Sequence, residues 1–157
     1  MTVPKREGFA EGPHVLGAVT LLARLVQDSL TPRLAEVGLS FAEAVAMVRL
    51  WQSPTGSLPQ SVLIEKLAVS RASGSLVLSE LEQNGFVRRL LDPGDARRQL
   101  VELTAKGAAI ELDVHEAFEE LEGTLFHPIG SDSWKTTHQS LRSAIEALVA
   151  ARNGTGS

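Results

Sequence analysis

PQSVLIEKLAVSRASGSLVLSELEQNG, residues 59–85, followed at once by FVRRLLDPGDARRQLVELTAKG, residues 86–107, is the stretch that decides the fold. Pro59 suits the first turn of a helix, and Val62, Leu63 and Leu67 give that helix a short apolar face ending near Ala68. Ser70 is a good N-cap for a second helix, whose inward positions are Gly74, Val77, Leu78 and Leu81. Gly85 then supplies a left-handed stop. Two short helices with a tight connection fit a helix-turn-helix, and a plain helical hairpin gives similar spacing. The continuation narrows the choice. Phe86 to Leu91 reads as a strand, Asp92-Pro93-Gly94-Asp95 as a turn, and Gln99 to Thr104 as the returning strand. Arg88, Arg89, Arg97 and Arg98 concentrate on this hairpin. Either it is an exposed hairpin with solvated arginines, or it is a wing whose tip arginine enters a narrow minor groove. The helices before it favour the wing.

Working outward, His14 to about Val37 carries Val15, Val19, Leu22, Val26 and Leu30 on one stripe of a long helix, with Pro32 placed to kink or divide it. Ser40 caps a second helix to about Gln52, with Phe41, Val45, Val48 and Trp51 inward, and Ser53 to Leu58 reads as a loop. Thr104 caps a long helix through about Phe126, striped by Ile110, Val114, Ala117, Leu121 and Leu125. A last helix from about Asp132 to Arg152 carries Leu141, Ile145 and Leu148. The expected fold is mainly α with a small β-wing: a winged helix-turn-helix of six helices in one domain over 14–152. Within it the winged lobe spans about 40–104, and helices over about 14–37 and 104–152 dimerise. Residues 1–13 and 153–157, rich in Gly, Pro and small polar residues, read as a flexible arm and tail. The terminal helices have no obvious place to hide their apolar faces in so small a lobe, which predicts a homodimer.

Composition sets the bounds. With 157 residues, 43% hydrophobic and 22% charged, the chain fits one soluble domain and not a disordered one. It has no cysteine, which excludes disulfides, zinc-thiolate sites and thiol switches. Met1 to Pro13 holds no apolar stretch, so neither a signal peptide nor a membrane anchor is read there, and the expected location is the cytoplasm. A net charge of −4 seems to oppose nucleic-acid binding. Its distribution does not, because Lys66 to Lys106 holds seven Lys and Arg against five Asp and Glu, a local excess of two positive charges. No catalytic constellation emerges. His115 and Glu119 have the spacing of a metal pair, but no second His lies one turn away, so the segment reads as a solvated acidic face and no metal or cofactor is expected. His14, His127 and His138 are scattered, and Trp51 and Trp134 read first as core.

Leu63 through Gly107 resembles the winged-helix core of the MarR regulators. The likeness rests on Asp95-Ala-Arg97 followed by an apolar strand with Val101 and Leu103, then Thr104-x-x-Gly107. The resemblance implies a dimer built from the terminal helices, a palindromic operator in double-stranded DNA, and repression relieved by a small molecule. By the same resemblance Asp95 orients Arg97 for the minor groove, while Arg98, Arg88 and Arg89 make phosphate or supporting contacts. Ser70, Arg71, Ser73 and Ser75 match positions that meet phosphates and base edges. The chain departs from the family at Leu76, where Arg is common, and at Gly74.

Helical geometry puts Ala72, Leu76 and Ser79 on the outer face of the second helix, without charge. Readout there falls to Ser hydroxyls and to apolar contact of Ala72 or Leu76 with thymine methyls, which predicts an A·T-leaning operator. The resemblance also implies an effector pocket where the dimer helices meet the winged lobe, and for an aromatic or anionic molecule there the candidates are Arg24, Arg49 and Trp51. Arg24 has Asp28 one turn away as a simpler partner. The uncharged recognition face and acidic total leave a second reading open, a winged-helix protein-interaction module without an operator.

Overall fold

The computed structural model describes residues 15–154. The elements run α1 (Val15–Glu36), α2 (Phe41–Trp51), β1 (Ser57–Pro59), α3 (Gln60–Lys66), α4 (Arg71–Gln83), β2 (Val87–Asp92), β3 (Asp95–Leu103), α5 (Ala105–Ala109), α6 (Glu111–Ile129) and α7 (Ser131–Gly154). The expected arm over 1–13 and residues 155–157 lie outside the described residues.

The expected caps form. Ser40 accepts the Glu43 N–H at 3.3 Å while Glu43 Oε2 accepts the Ser40 N–H at 2.7 Å, a reciprocal box that starts α2. Ser70 accepts the Ser73 N–H at 3.1 Å at the start of α4, and Gly85 closes that helix at φ +76°. Thr104 Oγ1 accepts the Gly107 N–H at 3.1 Å and donates to the Gly85 carbonyl at 2.6 Å, so one hydroxyl joins the end of the hairpin to the end of α4.

Four expectations are corrected. The loop over Ser53 to Leu58 contains β1, which pairs antiparallel with β3 (Ser57 opposite Glu102, Leu58 opposite Val101), giving a three-stranded sheet in the order β1-β3-β2. Pro59 ends that strand and caps α3. Pro32 does not divide α1, which runs unbroken across it. The helix from Thr104 breaks at Ile110, whose φ −93° and ψ 4° leave the helical region, so a short α5 precedes α6. Counted as one bent helix, the pair restores the six-helix order. At the other end, α7 reaches Gly154, so Asn153 and Gly154 extend a helix instead of beginning a tail.

Leu34, Met47, Leu50, Leu63, Leu78, Leu81, Val87, Val101 and Val114 are fully buried, so α1, α2, α3, α4, both wing strands and α6 share one core. In α2 the buried face is Ala44, Met47 and Leu50, and Phe41, Val45, Val48 and Trp51 flank it half-buried. Two glycines carry close approaches. A Cβ on Gly74 would stand 2.8 Å from Ile64, so α4 lies against α3 closer than any side chain allows. Ile64 fills the space that a side chain on Gly74 would take. A Cβ on Gly107 would overlap the Phe86 carbonyl oxygen, a backbone atom that cannot swing aside.

Gly107→Ala is expected to cost about 3 kcal/mol, the upper end of overpacking, which is roughly 6–12 °C in Tm for a chain of this size. Differential scanning calorimetry checks this; a change below 2 °C would mean that α5 shifts freely away from Phe86.

Candidate nucleic-acid interface and ligand cavity

The pleat sorts the wing arginines. In the β2–β3 register Arg88 lies opposite Glu102 and Arg89 opposite Val101, so neighbouring residues point to opposite faces. Arg88 faces outward and is held across the strands, its Nη2 2.7 Å from Glu102 Oε2. Arg89 shares a face with buried Val101 and is 22% exposed; its Nη2 donates to Ser79 Oγ at 2.9 Å and its Nε lies 3.5 Å from Glu82. The Arg89 amide also donates to Glu82 Oε1 at 3.1 Å, which covers the free edge of β2 with a side chain of α4. Both arginines are thus spent within the fold. Ser79, expected on the open outer face, is half-buried and donates to the Ser75 carbonyl while accepting from Arg89. Glu82, Glu102 and Ser79 escaped the reading from sequence, although alternation along Val87–Leu91 was signal enough to part Arg88 from Arg89.

The wing tip is different. Asp92 Oδ1 accepts the Gly94 N–H at 2.9 Å and Asp95 Oδ1 accepts the Arg97 N–H at 3.0 Å, so two aspartates fold the turn through backbone amides. Asp95 therefore orients Arg97 through its main chain. The Arg97 side chain is exposed, and no partner holds it among the described residues. Arg98 is exposed and 3.9 Å from Asp92. Arg71, also exposed, lies in the first turn of α4. Arg71, Arg97 and Arg98 line one open groove of about 620 Å³ between α3, the start of α4 and the wing, with Glu65 of α3 and Val149 of α7 also in its wall. On α4, Ser70 and Ser73 bond each other at 2.8 Å, Ser75 is half-buried, and Leu76 is 61% exposed.

A second cavity, of about 350 Å³, opens between α2 and α6. Val48, Trp51 and Gln52 line it from α2, and Glu111, His115, Phe118 and Glu122 from one stripe of α6. Trp51 Nε1 donates to the Gly107 carbonyl at 3.2 Å, which fixes the indole. Of the three residues expected at an effector site, only Trp51 is in the lining. Arg24 is 80% exposed on α1 and lies 3.7 Å from Asp28, its simpler partner. Arg49 is exposed and reaches the cavity only through Gln52, whose Oε1 accepts its Nη1 at 3.3 Å. His115 lies 3.1 Å from Glu119 on the surface of α6, and no metal-binding group of three His, Asp or Glu residues gathers among the described residues. Among the same residues no helix is long and apolar enough to cross a membrane.

A helix-turn-helix, a wing with cations at its tip and long flanking helices define a winged-helix protein of the DNA-binding type. Residues 39–98, from the end of the first interhelical turn to the wing tip, match the model of the MarR family. A stretch of 53 residues is 42% identical to the transcriptional regulator HosA of Escherichia coli O111:H-, covering 34% of this chain and 39% of that protein. The match thus spans about two fifths of that relative's length. A MarR family transcriptional regulator from Streptomyces coelicolor, solved in complex with DNA, is 25% identical with a TM-score of 0.75 over 85% of each chain. NadR, solved in complex with 4-hydroxyphenylacetate, shares the fold at 19% identity and a TM-score of 0.71, over 89% of this chain and 95% of its own. The two regulators are transcription factors and not enzymes, in line with the non-enzymatic reading of the sequence.

Glu82→Ala is expected to cost about 1–2 kcal/mol, because it strips the β2 edge amide of its acceptor and the Arg89 guanidinium of the carboxylate it faces at 3.5 Å. Urea unfolding measures the cost, and amide exchange at Arg89 should accelerate; unchanged exchange there would place the protection elsewhere.

Proposed function

We propose that the chain works in the cytoplasm as a homodimeric transcriptional repressor that binds a pseudo-palindromic operator and is released by a small-molecule effector. The observation that carries this reading is the wing tip. A fold that pairs Arg89 with Glu82 and Arg88 with Glu102 leaves the Arg97 side chain exposed at the end of the wing, with Arg98 exposed beside Asp92, in one groove with Arg71 at the start of the recognition helix. That spacing suits a duplex: α4 enters a major groove, Arg97 an adjacent minor groove, and Arg71 and Arg98 meet the phosphates between them. Ser70, Ser73 and Ser75 stand at the same end of α4 as hydroxyl donors, and Leu76 offers an apolar contact to thymine methyls. Arg88, Arg89 and Asp95 act one step back, holding the wing in place.

The dimer has support in the exposed apolar faces of the terminal helices: Val15, Leu16, Val19, Leu22 and Leu25 on α1, and Ile145 and Leu148 on α7. Exposed apolar faces of that kind are costly to leave in water. The two lobes of a dimer would present paired recognition helices to two half-sites. The cavity between α2 and α6 is the effector site in this reading, since Trp51 joins its wall to Gly107 at the base of the wing.

Arg97→Ala is expected to weaken operator binding by roughly 1–3 kcal/mol with the fold intact, as single groove contacts do. Gel retardation with the duplex upstream of its own gene, against a scrambled duplex at equal salt, measures it. Equal retention of both duplexes by the wild type would point to a protein-interaction module instead. Leu76→Arg is expected to raise affinity for all duplexes and to blur discrimination, because it adds a phosphate contact to a face that reads methyl groups. An operator anchored on invariant G·C pairs would contradict that account of α4. Light scattering tests the assembly: the expected mass is twice 16.8 kDa, and a monomer at micromolar concentration would defeat the architecture.

A further inference from the structure

The cavity between α2 and α6 has a charge character that the repressor reading does not use. Glu111, His115, Phe118 and Glu122 recur at steps of four, three and four, so they form one stripe of α6 facing α2. Two of the four are carboxylates, and His115 is engaged with a third, Glu119, at 3.1 Å. Opposite them stand Val48 and the half-buried indole of Trp51, whose N–H is already committed to the Gly107 carbonyl. What Trp51 offers a ligand is therefore its ring. No Lys or Arg lines the cavity among the described residues, and the Arg49 guanidinium is tied to the amide oxygen of Gln52 at its edge.

From this lining we infer that the cavity takes a small organic cation, an aromatic or quaternary amine, and rejects aromatic carboxylates. The inference rests on the proposal that this cavity is the effector site, and it adds the ligand's class. An aromatic wall binds a cation through its ring quadrupole and binds the apolar body of the same molecule by burial. The two carboxylates complement the charge of an amine and repel that of a benzoate. A volume of about 350 Å³ is at the low end for small-molecule sites, enough for one ring with its substituents.

Isothermal titration of the full chain with benzyltrimethylammonium, and separately with benzoate, at equal ionic strength tests it. The expected result is saturable binding of the ammonium at one site per chain, weaker in high salt, and no measurable binding of benzoate. Glu122→Gln, at an exposed position that the fold does not need, should weaken the ammonium about fivefold, and Glu111→Gln with Glu122→Gln more than either alone. Benzoate binding as tightly as the ammonium, or an ammonium affinity untouched by the double change, overturns the assignment. Operator retention is scored on the same samples. Absence of ammonium binding in the wild type with operator binding intact sinks this inference alone, whereas wild-type ammonium binding without operator release upholds the cation site and removes the ligand-responsive part of the proposed function.

Discussion

The close approach of Gly107 to the Phe86 carbonyl is the constraint on which the remaining structure depends. Four elements meet there. Thr104 closes the hairpin onto the end of α4, Lys106 donates to the Asn84 carbonyl at 2.7 Å and sits 4.4 Å above the Phe86 ring, and Trp51 reaches across from α2 to the Gly107 carbonyl. Each of these contacts joins segments far apart in sequence, and a side chain at position 107 would press on the Phe86 carbonyl in their midst. The Thr104-x-x-Gly107 motif is thus a hinge post: it fixes the angle at which the wing leaves the recognition helix and at which α6 leaves the lobe.

From that post the wing inherits its electrostatics. A chain of net charge −4 does not bind a polyanion through its average field. The proposed interface works because the charges are sorted by position along one hairpin. Near the base, where β2 lies against α4, Glu82 and Glu102 absorb Arg89 and Arg88. Toward the tip, beyond the reach of α4, Asp92 and Asp95 turn their carboxylates to backbone amides, which leaves the Arg97 charge uncompensated. The same residue types therefore stiffen one end of the ribbon and charge the other.

Local signals in the sequence were sufficient for local structure. The caps at Ser40, Ser70 and Thr104, the stop at Gly85 and the turn at Pro93-Gly94 each depend on a few neighbouring residues, and each formed as read. What was not legible depends on partners distant in sequence. β1 is three residues ending in proline, too short to alternate, and it is a strand only because β3 offers it a ladder. The break at Ile110 follows no glycine or proline. Ser79 was assigned outward by helical rotation alone, but Arg89 draws it under the wing. Arg24, Arg49 and Trp51 were grouped because the family resemblance puts an effector where the dimer helices meet the winged lobe, and the fold sends two of them to solvent. In α2, Phe41, Val45, Val48 and Trp51 form a true apolar stripe, but it flanks the buried face, and Val48 and Trp51 on its edge are left to wall a cavity.

That last displacement connects the two proposed activities. Had Trp51 been fully enclosed, the cavity would have no aromatic wall; had it been free, its movement would concern only the cavity. It is instead half-buried with its nitrogen bonded to the carbonyl of Gly107, which packs directly against the Phe86 carbonyl at the base of the wing. A ligand that turns the indole must stretch the Nε1–Gly107 bond or drag α5 with it, and α5 carries Thr104 at its cap. Close-packed contacts of this kind shift between discrete arrangements instead of yielding by degrees. In the proposed function the route from effector to operator needs no long pathway: one indole, one glycine and one threonine would span it, and the wing arginines would move with the strand that the threonine ends.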